Sequence, residues 1–366
     1  MYFSSLFNFN SSNNFENERA YSAAVAIAKA LIETGHKVFF VGNKKNLEYK
    51  ICKDNNIAFL PVDVDFMPRK LSPKFLLWGL KTAIAGANAT LYALKHKPNA
   101  IFATGGYVSA PALIAGRLLK IPFVTHDCDS YPGIVTRVFS KYAVATTLQF
   151  EDAKKYLKTD RVFVFGNPVR ENFFNTNREE CLKKLGLENK KTVLIMGGSQ
   201  GANTLNNAVC EIINNLNRED IQIILQTGKK HFESVKSKLK LSPKNTLVVP
   251  YFEDTSIALG ACDLVVSRGG SLSISEILAT NTPSIIVPYP YAAKNHQMLN
   301  AQSIERLGAT VILEDEKCTP NALQNLIYEL LENNEKLNNM KNATIENSKP
   351  NGTKNIIQKL LEIAKC

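Results

Sequence analysis

Residues 263–290, DLVVSRGGSLSISEILATNTPSIIVPYP, have the pattern of a strand, a glycine turn, a helix and a second strand. Gly269 and Gly270 let the backbone approach a ligand closely, and the following helix offers unpaired N–H groups and a dipole that favours an anion. Glu276 lies one turn inside that helix, where a carboxylate suits two ribose hydroxyls better than a phosphate. The stretch predicts an α/β domain with a nucleotide site, although an ordinary strand–helix–strand unit with a tight turn has the same pattern.

The chain has 366 residues, of which 45% are hydrophobic, and is long enough for two domains with full cores. No apolar run reaches the roughly 18 to 20 residues that a membrane-spanning helix needs. Residues 1–21 are too polar and too poor in basic side chains for a signal peptide, so we expect a cytoplasmic protein. Seven cysteines without a CxxC pair indicate reduced thiols, not a disulfide framework or a zinc site.

The formal net charge of +11 favours an anionic partner, namely nucleic acid, an anionic membrane surface or a phosphorylated substrate. The alternative is that Lys is simply the favoured surface residue of a Lys- and Asn-rich sequence. Because no nucleic-acid-binding motif is recognisable, we expect no nucleic-acid partner.

The segment from 66 to 89 combines the single tryptophan with aliphatic and basic side chains. When exposed, such a cluster suits an interfacial membrane contact, because its apolar part enters the acyl boundary while the cations meet anionic head groups. A core helix with a solvated basic face would have the same composition. The predicted contact residues are Phe75, Leu76, Leu77, Trp78, Lys74 and Lys81.

The first half of the chain predicts alternating helices and strands that begin with a helix. Residues 1–19 show no strand-like alternation and are expected to be irregular or disordered. A helix over 20–34 then precedes a strand over 37–41, so the strand that normally comes before this helix is missing, and an open slot beside 37–41 is expected. Further strands are predicted at 100–103, 121–125 and 162–165, with a helix at 111–119.

The second half predicts a separate α/β domain, because Pro168 marks a crossing between domains. Its first strand, 191–196, runs into a second glycine loop at 197–202, and two such loops about 70 residues apart are stronger evidence for an anion site than one. The predicted domains are 1–168 (with 1–22 atypical), 169–347, and a helix within 348–366 that packs back on the first domain. Other predicted elements are strands 221–226, 246–250 and 285–288 and helices 296–307, 320–337 and 355–364.

His126, Asp127 and Asp129 follow the strand at 121–125, and strand ends in open α/β sheets are where ligands bind. His126 is a candidate for proton chemistry beside two carboxylates, although a single His is more often a hydrogen-bonded structural group. Two carboxylates two residues apart are common by chance, so we predict no metal here or at Asp63 and Asp65.

Seven short motifs follow one another along the chain: TGGYVSAPA (104–112), HDCDSYPG (126–133), GNPVR (166–170), GGSQGANTLN (197–206), QTGKK (226–230), SRGGSLSISE (267–276) and PYPYAAKNHQMLNA (288–301). In this order, over about residues 23–345, the sequence resembles the MurG family of N-acetylglucosaminyltransferases. The resemblance implies a GT-B fold, with two Rossmann-like domains facing across a cleft. It also implies inverting transfer from UDP-N-acetylglucosamine to the 4-hydroxyl of an undecaprenyl-diphosphate-linked N-acetylmuramyl-pentapeptide (lipid I to lipid II) in peptidoglycan synthesis, with no obligatory metal or other cofactor.

The resemblance also assigns residues. It implies that Ser199 and the turn after Ser271 hold the diphosphate, that Glu276 binds the ribose and that Gln297 binds the sugar hydroxyls. Asp129 would contact a sugar, and His126 or Asp127 would serve as the base. The full implied donor set is Arg170, Ser199, Gln200, Phe252, Ser271, Leu272, Ser273, Ile274, Ser275, Glu276 and Gln297.

The same resemblance implies a peripheral protein at the cytoplasmic face of the plasma membrane, held there by the segment around Trp78. Its partners would be the UDP-sugar, the lipid-linked muramyl peptide and the anionic membrane surface, with proteins of cell-wall synthesis and division as further candidates.

The chain departs from the family at two places. FENERAY (15–21) stands where the family has GGTGGH, and HDCD (126–129) stands where it has HEQN. Losing the glycine loop removes backbone donors for the acceptor diphosphate and leaves Glu18, which would repel an anion. Alternatives to an active lipid II synthase are therefore a UDP-sugar-binding scaffold, a truncated product with a misplaced start, and a related lipid glycosyltransferase with another acceptor. The last of these, a related enzyme such as a diacylglycerol glycosyltransferase or a UDP-sugar epimerase, fits less well, because TGGYVSAPA and NHQ argue against it.

Overall fold

The computed structural model of the protein describes residues 2–4, 22–45, 47–65, 68, 73–198, 201–240 and 245–364. The chain forms two compact units, one made of residues 1–169 with 351–366 and the other of residues 170–350. No helix in the described ranges is long and apolar enough to cross a membrane.

The first unit is built on a parallel sheet with the strand order β3-β2-β1-β4-β5-β6-β7. The order reverses beside β1, which is the arrangement of doubly wound nucleotide-binding folds. Its strands are β1 (Tyr2–Ser4), β2 (Phe39–Gly42), β3 (Ala58–Pro61), β4 (Ile101–Ala103), β5 (Phe123–Asp127), β6 (Ala145–Leu148) and β7 (Val162–Phe163). Its helices are α1 (Ser22–Glu33), α2 (Leu47–Asp54), α3 (Pro73–His96), α4 (Ala110–Leu118), α5 (Ile134–Phe139) and α14 (Gly352–Ala364).

β1 is the strand that the sequence analysis expected to be missing. It pairs in parallel with β2 on one side and β4 on the other, with residue 2 opposite Phe39 and Ile101. The expectations of irregular structure over 1–19 and of an open slot beside β2 are therefore wrong for residues 2–4. The remainder of that stretch, including FENERAY, lies outside the described residues.

Hydrophobic cores cover both faces of the first sheet. Successive residues of β2 contribute to different cores, Phe39 and Val41 to one and Phe40 to the other, as the two-residue period of a strand requires. α14 joins the second of these cores through its buried residues Ile356, Leu360 and Ile363. The last helix is therefore an integral part of the first unit.

The second unit repeats this topology with the order β10-β9-β8-β11-β12-β13, again all parallel. Its strands are β8 (Lys191–Met196), β9 (Ile221–Gln226), β10 (Thr246–Val249), β11 (Leu264–Ser267), β12 (Ser284–Ile286) and β13 (Thr310–Ile312). Its helices are α6 (Arg178–Leu185), α7 (Asn203–Asn214), α8 (Phe232–Lys238), α9 (Thr255–Ala261), α10 (Ser271–Ala279), α11 (His296–Glu305), α12 (Pro320–Glu332) and α13 (Asn334–Asn347).

The predicted helix 320–337 is wrong in its extent, because the chain forms two helices there. α12 ends at Glu332, and the side chain of Asn333 accepts a hydrogen bond from the backbone N–H of Lys336 at the start of α13. Asn is a favoured residue at a helix N-terminus for this reason. The six cysteines in the described part of the chain are buried free thiols.

Gly352 at the start of α14 offers a test of how closely this helix packs against the first unit. A Cβ atom there would lie 2.6 Å from the carbonyl oxygen of Phe165, so Gly352→Ala forces the helix away from its core. We expect a loss of about 1–3 kcal/mol in the free energy of unfolding, measured by urea titration. Gly79→Ala in α3 is the matched control, since nothing lies within 4 Å of its Cβ position; equal stability of the two variants would contradict tight seating.

Candidate functional site

The glycine turn after β11 is shaped by its packing against α11. A Cβ on Gly269 would lie 2.3 Å from the carbonyl oxygen of Gln297, so only glycine fits. Asn300 Nδ2 donates a hydrogen bond to the Gly269 carbonyl oxygen at 3.1 Å and fastens the same contact. Gly270 then caps α10 without a side-chain hydrogen bond, so the first turn presents backbone N–H groups. The turn can therefore bind an anion at the carboxyl edge of the sheet.

The predicted donor residues of α10 have different surroundings. Ile274 is fully buried in the core, whereas Leu272 and Ser273 are half-buried in the first turn. Ser271 and Ser275 are buried, and the Ser275 hydroxyl donates to the Ser271 carbonyl oxygen at 2.8 Å. Glu276 is 7% exposed. In this run, backbone groups and one buried carboxylate are the features suited to a nucleotide.

Two other predicted donor residues are tied to loops that follow strands of the same sheet. Gln297 Oε1 accepts a hydrogen bond from the Tyr289 backbone N–H at 2.9 Å, which orients the amide beside the loop after β12. The Phe252 N–H donates to Gln226 Oε1 at 3.2 Å, so the loop after β10 is fixed to the end of β9. Parallel strands bring these loops to one edge.

The second glycine loop, after β8, leads into α7. Ser199 and Gln200 are outside the described residues, so their predicted roles stay predictions. Gly201 has φ 72°, and a Cβ there would lie 2.3 Å from the Thr227 carbonyl oxygen, so the loop depends on glycine. Ala202 caps α7 without a side-chain hydrogen bond, which gives a second helix N-terminus at the same edge.

Arg170 opens the second unit. Its guanidinium lies 3.7 Å from Asp254 and 5.2 Å from the ring centre of Phe173, and its side chain is 45% exposed. Asp254 also accepts hydrogen bonds from Asn172 Nδ2 and from the Ser256 N–H at the start of α9. Asp254 therefore anchors the segment that begins at Arg170. The sequence reasoning missed this residue, although an Asp before a helical run is a recognisable capping signal.

His126 in the first unit is completely buried at the end of β5. Its Nε2 lies 3.0 Å from Asn167 Oδ1, and its Nδ1 lies 2.9 Å from the Thr147 hydroxyl. Because an amide oxygen only accepts, Nε2 carries the proton and Nδ1 accepts from Thr147. Burial lowers the pKa of His126 to about 4. With both nitrogens in hydrogen bonds and a lowered pKa, this imidazole is neutral near pH 7.

Asp127 is buried beside the TGGY turn. Its Oδ2 accepts from the Gly133 N–H at 2.9 Å, and its Oδ1 accepts from the Asp129 N–H at 3.3 Å. Oδ2 also lies 3.3 Å from the Cβ position of Gly105, whose φ is 75°. Burial, and then the negative charge of Asp129, raise the pKa of Asp127 to about 7.

Asp127, Cys128 and Asp129 bring three possible ligand atoms within 4.8 Å of one another. Both carboxylate oxygens of Asp127 already accept hydrogen bonds from backbone N–H groups of the same loop. The sequence prediction that this pair is no metal site stays a prediction.

The predicted membrane residues lie at the start of α3. Leu76 and Leu77 are 77% and 55% exposed, and Lys74 is exposed beside them. Leu80 and Ile84, which the sequence analysis did not single out, continue the apolar surface at 60% and 53%. We call Leu76, Leu77, Leu80 and Ile84 the α3 apolar surface.

Trp78 and Lys81 have contacts within the protein. The Trp78 indole N–H donates to the Asp65 carbonyl oxygen at 2.9 Å, and Lys81 Nζ pairs with the Asp65 carboxylate at 2.5 Å. Phe75 packs against Trp78 with 5.4 Å between ring centres, and both are half-buried. These residues support the helix while the leucines face outward.

Comparison with known proteins shows that both units match domains of the same glycosyltransferase family. Residues 22–147 match the model of the glycosyltransferase family 28 N-terminal domain, and residues 192–358 match that of the C-terminal domain. A protein of Halothermothrix orenii named UDP-N-acetylglucosamine–N-acetylmuramyl-(pentapeptide) pyrophosphoryl-undecaprenol N-acetylglucosamine transferase is 33% identical over 93% of this chain and 95% of its own length. One of the same name from Caldicellulosiruptor saccharolyticus is 35% identical over 91% and 92%.

Solved structures agree on the fold. The crystal structure of MurG from Acinetobacter baumannii superimposes with a TM-score of 0.77 at 24% identity, covering 99% of this chain and 98% of that one. A UDP-GlcNAc 2-epimerase from Neisseria meningitidis, bound to UDP-GlcNAc, has a TM-score of 0.63 at 14% identity, covering 99% and 98%. The predicted α/β fold class, with two Rossmann-like domains of the GT-B type, is confirmed.

Asp127 and His126 give opposite pH dependences of stability. Asp127 keeps its proton in the folded chain up to about pH 7, whereas the unfolded carboxyl ionises near its ordinary pKa of 3.8, so stability falls as pH rises through this interval. The unfolded His126 gains a proton below its ordinary pKa of 6.5, whereas the folded one stays neutral to about pH 4, so stability falls as pH drops. Between about pH 4 and 6.5 the two effects oppose each other.

Asp127→Asn removes only the first effect. Relative to the parent, its free energy of unfolding should therefore rise with pH between about 4 and 6.5, by up to about 1.4 kcal/mol per pH unit. Urea titrations at half-unit pH steps measure this difference. An offset between the two proteins that stays constant with pH would show that Asp127 is ionised in the folded chain.

Proposed function

This chain belongs to glycosyltransferase family 28, and on that premise we propose that it transfers N-acetylglucosamine from UDP-N-acetylglucosamine to an undecaprenyl-diphosphate-linked N-acetylmuramyl-pentapeptide. It is a hexosyltransferase of the peptidoglycan pathway. The structural observation that carries the proposal is the carboxyl edge of the second sheet, where the uncapped first turn of α10 adjoins the buried carboxylate of Glu276. Such a pair can hold a diphosphate and a ribose at once.

The donor half of the reaction uses the second unit. Backbone N–H groups at the starts of α7 and α10 hold the UDP diphosphate, Glu276 accepts hydrogen bonds from the ribose hydroxyls, and the Gln297 amide binds the sugar. When the acceptor 4-hydroxyl attacks the anomeric carbon, the bond to UDP breaks and negative charge grows on the diphosphate. The helix N-termini and Arg170 stabilise that charge where it develops.

The acceptor half uses the first unit, and of the two candidate bases Asp127 fits better. A base must take the proton of the attacking hydroxyl, and a group with a pKa near the working pH does so most effectively. The pKa of Asp127 is about 7, and each of its carboxylate oxygens has a further lone pair beyond its backbone hydrogen bond, whereas the pKa of His126 is only about 4 and both of its nitrogens are in hydrogen bonds. His126 then supports the end of β5, and Asp129 remains a candidate sugar contact.

A second candidate function is a UDP-sugar-binding protein that does not catalyse transfer. The observation that favours it is the sequence FENERAY, which lacks the glycine-rich acceptor loop of the family. β1 nevertheless lies between β2 and β4 inside the first sheet, which supports a strand in the position that precedes the family's acceptor loop. Transfer therefore remains the primary proposal.

A lipid-linked acceptor requires an enzyme that works at a membrane surface. We infer a peripheral attachment at the cytoplasmic face, through the α3 apolar surface, with Lys74 near anionic head groups. Leucines that are more than half exposed on one helix present apolar surface to water. Moving that surface into the acyl boundary lowers the free energy.

The test of function is transfer of labelled N-acetylglucosamine from its UDP donor to a lipid I analogue. We expect turnover by the parent chain. Glu276→Gln should raise the KM for UDP-N-acetylglucosamine by about 10- to 100-fold, because it weakens charge-assisted hydrogen bonds of about 1.5–3 kcal/mol. Glu211→Gln, an exposed change on α7, is the control and should match the parent. Donor binding by the parent without transfer would favour the second candidate function instead.

Membrane attachment is tested with vesicles that contain anionic phospholipid. The triple variant Leu76→Ser, Leu77→Ser, Leu80→Ser should lose at least tenfold in vesicle affinity, because each buried leucine contributes about 1.5–3 kcal/mol. Ile345→Ser, which changes an exposed aliphatic residue of α13, is the control. Cosedimentation measures both. An unchanged affinity of the triple variant would show that another surface binds the lipid.

A further inference from the structure

Asp315 lies in the turn that follows β13, the edge strand of the second sheet. Its two carboxylate oxygens contact two different elements. Oδ1 accepts from Arg268 Nη1 at 2.5 Å, and Oδ2 accepts from the Thr204 hydroxyl at 3.2 Å. Arg268 directly follows β11 and Thr204 lies in the first turn of α7, so one carboxylate joins the β11 turn to the start of α7.

The Arg268 guanidinium extends this connection toward Gln297, the residue predicted to bind the sugar. Its Nη1 also donates to the Val287 carbonyl oxygen at 3.1 Å, and its Cζ lies 5.7 Å from the ring centre of Tyr289. The Tyr289 N–H in turn donates to Gln297 Oε1. The contacts therefore run from α7 through the β11 turn to the loop that orients Gln297.

Burial makes this ion pair costly to disturb. The side chains of Arg268 and Asp315 are 9% and 16% exposed, so neither charge is well solvated. Removing one charge of such a pair leaves the other buried without compensation. The same pairing means that the positive charge of Arg268 is already balanced before any diphosphate arrives.

We propose that Asp315 is a positioning residue of the donor site, which holds the β11 turn and the start of α7 in the mutual arrangement that a UDP-sugar requires. It acts through Arg268 and Thr204 and does not touch the ligand. The inference rests on the proposed function, because it presumes that UDP binds at these two loops. Precise placement matters because N–H groups from both helices must meet one diphosphate.

The experiment uses the full chain and measures UDP binding by calorimetry, together with kcat and KM for donor and acceptor. Asp315→Asn keeps the size and an acceptor oxygen but removes the charge. We expect the Kd for UDP and the KM for UDP-N-acetylglucosamine to rise about tenfold, with the acceptor KM unchanged within about twofold.

Thr204→Val tests the second contact without breaking the ion pair, so it remains informative if Asp315→Asn folds poorly. It should raise the Kd for UDP about threefold. In the double variant the two effects on the Kd for UDP should combine to less than their product, because Thr204 acts through the same side chain. Glu314→Gln is the matched control: this neighbouring carboxylate pairs with Lys317 on the exposed surface and should leave every constant unchanged.

Three results would overturn the inference. Parent-like UDP binding by Asp315→Asn and Thr204→Val, with a lowered melting temperature, would make the ion pair purely structural. Tighter UDP binding by Asp315→Asn would mean that Asp315 masks Arg268 and does not position the loops. No UDP binding by the unmodified chain would overturn the proposed function, and the inference with it, which separates the two failures.

Discussion

Parallel strand pairing is the constraint on which the rest of this structure depends. Parallel strands end at a common edge, and where the strand order reverses, the loops of two adjacent strands diverge and leave room for a ligand. In the second unit this reversal lies between β8 and β11, the strands that precede the two glycine loops. In the first unit it lies between β1 and β4, and β4 leads into the TGGY turn. The two glycine loops and the TGGY turn lie at these two points, whereas the other candidate residues follow strands further along each sheet.

The sequence predicted the second sheet better than the first, for a physical reason. β8 and β9 are apolar runs buried on both faces, and their predicted bounds match the observed ones. β1 is only three residues long, and what makes it a strand is pairing with β2 and β4, far along the chain. Three residues are too few for an alternating hydrophobic pattern that would predict such a strand. The break at Asn333 was readable from its capping residue, but the apolar period of α12 continues across it.

The candidate site also contains residues that local sequence predicts and residues that only the fold brings together. Glu276 and the β11 turn belong to one continuous motif, so local sequence predicts them. The Arg268–Asp315 pair joins residues 47 positions apart, and the Thr204–Asp315 contact joins residues 111 apart, so only the fold brings them together. His126 shows the opposite case: its strand-end position suggested chemistry, but Thr147 and Asn167 from neighbouring segments use both of its nitrogens.

The place of α14 has a consequence for how the protein is made. Ile356, Leu360 and Ile363 complete a core of the first unit, yet the ribosome synthesises them after the whole of the second. The continuous second unit can fold as soon as it has emerged, whereas the first must wait with part of its core uncovered. During translation the first unit is therefore the last to complete its folding. Its uncovered core is the part of the chain on which chaperones are expected to act.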